Sequence, residues 1–255
     1  MQFGGGLLEW EIDGCPAARV SRDSIDKIEP VGSLDASKDS DPQSLLEQIL
    51  INDAQVTLHY ADKIDTLAQL SNGLYGGITN EWLSGMIYEL RVKSDELGEV
   101  SAMTKIPDAV PFQTAAARLY ITEFDSLAEI SYSLQDPEGE NFYMINVQKF
   151  STTQLLGSLL NPDVFTHLTD DASFDGQLYQ EQFRVFFRDF SKGDTVSVFL
   201  SNVQKDYYQF LKLRNDNRYG FADFASEPLN YSSNVKGGLG YFNLHVPDAR
   251  VFVMQ

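Results

Sequence analysis

The feature that most constrains the fold of this chain is an alternation of apolar and polar residues that recurs along it. In "AQVTLHY" the residues Ala54, Val56, Leu58 and Tyr60 fall on one side, with Gln55, Thr57 and His59 on the other. "MIYELRV" sets Met86, Tyr88, Leu90 and Val92 against Glu89 and Arg91. "EISYSL" repeats the pattern with Ile130, Tyr132 and Leu134, and "DTVSVFLS" with Val196, Val198 and Leu200. Successive side chains of a strand point to opposite faces, so a period of two marks strands that bury one face. Turn chemistry separates the runs: Asn72-Gly73, Asp136-Pro137-Glu138-Gly139, Asp175-Gly176 and Lys192-Gly193-Asp194. Short alternating strands with polar turns predict antiparallel sandwiches. Seventeen Phe and twelve Tyr suit such sheets better than helical bundles.

Helical pattern is scarce. "DPQSLLEQIL" offers Asp41 as a cap, Pro42 at the first helical position, and Leu45, Leu46 and Ile49 on one side. "DYYQFLKLR" caps at Asp206 and gathers Tyr207, Phe210, Leu211 and the stem of Arg214. Each predicts a helix of two or three turns. Pro107 and Pro111 bracket the extended linker "PDAVP", which favours a boundary there. The expected architecture is all-β, with two antiparallel β-sandwich domains, Met1 to Val110 and Pro111 to Gln255, and one or two short helices.

Charge narrows the partners. The chain carries 37 acidic and 19 basic residues, a formal net charge of -18. Such a surface repels a phosphate backbone, so no nucleic-acid partner is expected. Attraction to anionic headgroups is disfavoured likewise. The single cysteine, Cys15, has no partner for an internal disulfide or a thiolate metal site. No apolar run approaches the roughly 18 residues of a membrane span. The start, "MQFGGGLLEW", lacks the basic and long apolar regions of a signal peptide. Either the chain is not exported or its leader has been removed.

Motifs of chemistry are thin. Gly237-Gly238-Leu239-Gly240 precedes "YFNLHV", which reads as a strand. A dinucleotide loop needs G-x-G-x-x-G before a helix, and a P-loop needs a following Lys-Ser/Thr. The run therefore predicts a structural glycine turn rather than a phosphate cradle. His59, His167 and His245 lie beyond helical reach of one another. Asp35, Asp39 and Asp41, or Asp170, Asp171 and Asp175, lack the spacing of a helix–loop–helix calcium site. Solvated loop carboxylates are the expectation, with no metal and no cofactor. No G-x-S-x-G elbow is present, and Cys15 beside Pro16 reads as a packed thiol. Paired glycosidase carboxylates come from distant strands and leave no spacing to find. Trp82, Tyr207 and Tyr208 are candidate ligand-binding residues, since rings near loops can stack on sugars or dock peptides. Packing into a core is the competing reading for each.

The ordered segments resemble one family. "LLEWEIDGCPAARVSRDS", "INDAQVTLHYADKIDTLAQLSNGLYGG" and "SGMIYELRVKSDELGEVSAMTKIPDAV" are similar to its first half. "SYSLQDPEGENFYMI", "LTDDASFDGQLY", "KGDTVSVFLSNVQKDYYQFL" and "EPLNYSSNVKGGLGYF" continue the likeness, most specifically over Asn234 to Phe242. The family is the Bacteroidetes outer-membrane lipoproteins catalogued as domain of unknown function 4249. The first half also resembles the immunoglobulin- and transthyretin-like sandwiches of carboxypeptidase regulatory domains. The resemblance implies a lipid-anchored protein of the cell envelope, encoded beside TonB-dependent transporters. No catalytic motif travels with it. The expected function is non-catalytic binding or accessory work with an outer-membrane transporter, on a glycan or peptide solute. An envelope glycan hydrolase with paired carboxylates and a structural or adhesive module are the alternatives.

Overall fold

A computed structural model describes residues 51–71, 73–77, 82–95, 98–123, 125–150, 164–186, 189–219, 232–238 and 240–255, and the short strands at 8–9 and 17–19. The expected helix at "DPQSLLEQIL", the Asp35, Asp39 and Asp41 cluster, and Cys15 lie outside these residues. The fold is all-β, with three antiparallel sheets and one helix among the described residues. Two units divide the chain: Met1–Ile106 with Phe224–Leu244, and Pro107–Asp223 with His245–Gln255. The change comes between Ile106 and Pro107, at the N-terminal edge of the expected linker. The return of 224–244 to the first unit departs from a single cut between Val110 and Pro111.

The first unit is an eight-stranded sheet in the order β1-β2-β5-β4-β3-β6-β7-β14. Its strands are β1 (Leu8–Glu9), β2 (Ala17–Arg19), β3 (Gln55–Tyr60), β4 (Lys63–Ser71), β5 (Leu74–Gly76), β6 (Ile87–Ser94), β7 (Gly98–Lys105) and β14 (Val235–Lys236). Part-way along, β4 passes from pairing with β3 to pairing with β5, with an irregular register between Gln69 and Ser71. The alternation sets the buried face: Val56, Leu58 and Tyr60 on β3 sit opposite Val92, Leu90 and Tyr88 on β6, all buried.

The glycine run ends β14. Gly237 has φ of +83°, and a Cβ there would lie 3.2 Å from the Glu99 carbonyl oxygen. A turn of this backbone conformation and closeness needs glycine. The expectation of a following strand is corrected: residues 241–246 pair with no strand. Their alternation misleads because Asn234 stands in for a partner strand. Its side-chain Nδ2 donates to the Phe242 carbonyl at 2.7 Å, and its Oδ1 accepts from the Phe242 amide at 2.8 Å. One asparagine amide thus satisfies both backbone groups of a buried residue.

The second unit is a sandwich of two sheets. One holds β11 (Val164–Asp170), β10 (Phe142–Phe150), β13 (Thr195–Asn202) and β15 (Asp248–Val253) in that order. The other holds β12 (Leu178–Val185), β9 (Ser126–Gln135) and β8 (Phe112–Ile121). Ile130, Tyr132 and Leu134 of β9 share a core with Tyr143, Ile145 and Val147 of β10, and with Val196, Val198 and Leu200 of β13. Helix α1 (Lys205–Tyr219) packs on β10, with the Phe142 and Tyr208 rings 5.0 Å apart. It runs 15 residues rather than two or three turns, since no Gly or Pro interrupts Lys205 to Tyr219. Among the described residues no helix is long and apolar enough to cross a membrane.

Candidate functional site: clustered carboxylates and a polar sheet face

Three carboxylates of the second unit converge where two turns meet. Asp136 ends β9, while Asp171 and Asp175 sit in the turn between β11 and β12. One oxygen from each lies within 4.8 Å of the others. Asp136 and Asp171 are buried, and Asp175 is exposed. Each takes a backbone donor: Gly176 N to Asp136 Oδ2 at 2.8 Å, Asn141 N to Asp171 Oδ2 at 2.6 Å, Gly139 N to Asp175 Oδ1 at 2.9 Å. The buried Tyr143 hydroxyl donates to Asp136 Oδ1. These bonds tie the 136–141 turn to the 171–177 turn, and that is their evident work. Oxygens so grouped also have the chemistry to hold a hard cation.

Electrostatics within the cluster is unbalanced. Burial pushes the Asp171 carboxyl up, the Asn141 amide pulls against it, and Asp136 and Asp175 push it higher. A raised folded-state value means that the folded chain holds this proton more tightly than the unfolded chain does. Its stability contribution is complete below the ordinary aspartate range and is lost as pH rises through the raised value. Asp171→Asn is therefore expected to raise the melting temperature at neutral pH in EDTA, with the gain fading as the acid range is reached. Thermal scans across pH check this. A loss of stability at neutral pH would mean that the bond from the Asn141 amide outweighs the cost of burying the charge.

A second network closes one side of the sandwich. Tyr132 OH donates to Glu181 Oε2 at 2.6 Å, and His167 Nε2 lies 2.9 Å from Glu181 Oε1. The His167 ring stacks on Phe183 at 4.4 Å. Burial pushes the Glu181 carboxyl up, but the bonds from His167 and Tyr132 outweigh it and hold the group below the usual range. Tyr132 moves the other way, raised by burial first and by Glu181 second.

The third assembly lies on the opposite face of β9. Register places Arg118 of β8, Glu129 of β9 and Arg184 of β12 in one row. Glu129 is only 2% exposed, although it lies on the outer face. Arg118 Nε donates to its Oε1 at 2.6 Å, and Arg184 Nε to its Oε2 at 3.0 Å. The Arg118 bond, acting against desolvation and joined by Arg184 and Gln182, holds the Glu129 carboxyl below its usual range. Arg184 Cζ also sits over Tyr120, 3.7 Å from the ring centroid. The neighbouring rows are Ala116, Ser131 and Gln182, then Thr114, Ser133 and Gln180. This face can present fixed guanidinium, amide and hydroxyl groups to a solute.

The residues singled out by sequence are dispersed. Trp82 is half-buried in the first unit, its ring 5.7 Å from that of Tyr88. Tyr207 and Tyr208 are buried on α1, and Tyr208 OH donates to Asp170 Oδ2 at 3.2 Å. Asp170 thus leaves the expected trio, and Asp136 takes its place beside Asp171 and Asp175. His59 bonds Thr57 in the first unit, while His167 bonds Glu181 in the second. Sequence reasoning missed Arg118, Glu129 and Arg184. Counting outward from the Thr122–Asp125 turn would have paired the first two.

No characterised protein matches the chain. A family model, described as domain of unknown function DUF4249, matches residues 31–248. That span takes in every described element of both units except the two short strands at the start and all but the first residue of β15, and the chain belongs to the DUF4249 family.

Proposed function

We propose that this chain is a non-catalytic binding or accessory component of the cell envelope, a surface lipoprotein working with a TonB-dependent outer-membrane transporter in nutrient uptake. The envelope setting rests on the likeness to the lipoproteins of its family. The observation that carries the binding role is the outer face of β8, β9 and β12. There a buried glutamate holds two arginines in place beside hydroxyl and amide side chains open to solvent. Groups immobilised before a ligand arrives lose little freedom when it binds, which is how a rigid face gains affinity.

The glycosidase alternative requires two carboxyl groups about 5–9.5 Å apart that face a sugar. The carboxylates that gather among the described residues do not serve it. Asp136 and Asp171 are buried, and all three members of that cluster accept turn amides.

The test is gentle purification of the full-length, natively anchored protein from its own outer membrane, followed by mass spectrometry. A β-barrel transporter in stoichiometric yield is the expected result. Recovery of the protein alone would overturn the accessory role.

A further inference from the structure

We infer that the outer face of β8, β9 and β12 is a binding site for an acidic oligosaccharide, one that bears carboxylate or sulfate groups along a hydroxyl-rich chain. The inference rests on the binding role proposed above and supplies its ligand class.

The argument begins with charge. Two guanidiniums face one carboxylate, so the row carries a surplus positive charge in a chain of net charge -18. At physiological ionic strength charges beyond about 8 Å are largely screened. A bound anion would therefore feel this row more than the distant acidic surface. Arg118 is 70% exposed and Arg184 40%, whereas the glutamate between them is closed off.

Donor geometry comes next. Arg184 commits Nε to Glu129, and among the described residues both of its terminal nitrogens are left for a ligand. Arg118 commits Nε and one terminal nitrogen to Oε1 and keeps the other. Planar forks of this kind match carboxylate and sulfate oxygens. Glu129 below and Tyr120 beside them fix the forks before any ligand arrives.

The rest of the face selects a sugar rather than a protein. Protein interfaces centre on aromatic anchors and are depleted of serine. Here the open centre is Thr114, Gln180 and Gln182, with Ser131 half-buried and Ser133 buried beneath them, its hydroxyl 2.6 Å from that of Thr114. Such rows offer donors and acceptors to ring hydroxyls. Glu123 and Asp125 sit at the β8–β9 turn, so the ligand extends from the arginines toward Thr114, away from that turn.

Calorimetry on the whole chain tests this with four probes: hexagalacturonate, a heparin-derived hexasaccharide, neutral maltohexaose and hexaglutamate. Saturable binding of one or both acidic sugars is expected, weakening as salt rises, with no binding of maltohexaose. Selectivity between the two sugars identifies carboxylate or sulfate as the group recognised. The double variant Arg118→Gln/Arg184→Gln should bind about 100-fold more weakly, about tenfold or 1.4 kcal/mol for each guanidinium. If that variant unfolds, Glu129→Gln added to it removes the stranded carboxylate, and the same loss is expected. Absence of saturable binding by the folded native chain would overturn the inference. So would binding undiminished in the variants, equal binding of maltohexaose, or tighter binding of hexaglutamate. A transporter that co-purifies with a chain unable to bind either sugar would sink this site alone. Sugar binding without a transporter would sink only the accessory role.

Discussion

Replacing Asp136 with alanine is expected to cost the chain about 3 kcal/mol, the sum of two hydrogen bonds to a buried charged acceptor at about 1.5 kcal/mol each. Both donors belong to the fold itself. The Tyr143 hydroxyl, on a fully buried side chain, donates to Oδ1, and the Gly176 amide donates to Oδ2. Alanine leaves the phenol without its acceptor in the core and frees the 171–177 turn from the end of β9. Some cost is returned, because Asp136 repels Asp171. The gain is the smaller effect, since Asp171 keeps its Asn141 amide and still faces Asp175. For a chain of this size the loss lowers the melting temperature by roughly 6–12 °C. Asp136→Asn keeps an acceptor and should lose less. Tyr143→Phe removes the phenol instead of stranding it, so the double variant should lose less than the two single losses added. Urea titrations of the four proteins read this directly, and strict additivity would mean that the bond does not hold the turns.

How much of this was legible follows from the range of each interaction. Val56, Leu58 and Tyr60 announce their buried face because alternation is local, and the structure buries all three. The return of Asn234 to Phe242 could not be read, since β14 pairs with β7 more than 130 residues away, at Val235 opposite Ala102. Adjacent acids in sequence also diverged in space. Asp171 turns to Asp136, while Asp170 accepts from Tyr208 of the helix. Only tertiary packing decides that choice. Arg184 reaches Glu129 through the pairing of β12 with β9, a register fixed by turns that meet at Asp136. The candidate face therefore depends on the carboxylate cluster at the far end of the same strand, although no short motif spells out either one.

The largest effect is expected at alkaline pH, from three phenols of the second unit. Tyr132, Tyr143 and Tyr208 are 3%, 0% and 6% exposed. Burial, then the neighbouring carboxylate, pushes each phenol up: Glu181 beside Tyr132, Asp136 beside Tyr143, Asp170 beside Tyr208, the last to about 12. In the unfolded chain these groups titrate near 10. A raised value in the folded state gives stability that is whole below the unfolded value and is lost as pH rises toward the folded one. As pH rises from ~10 toward ~12 the unfolded chain comes to bind up to about three fewer protons than the folded chain, so stability falls by up to roughly 4 kcal/mol per pH unit, at 1.36 kcal/mol per proton. A domain with about 5 kcal/mol in hand, the low end of the usual range, should then unfold roughly one and a half to two units above pH 10. Other groups titrate in this window, and paired substitutions separate them. Tyr143→Phe and Tyr132→Phe should each flatten the alkaline limb by about one proton, or 1.4 kcal/mol per unit, whatever they cost at neutral pH. Denaturant titrations at half-unit steps from pH 9 to 11.5 measure those slopes. Equal slopes in the native and Tyr143→Phe chains would mean that the Tyr143 proton is not held by Asp136 and the core around it.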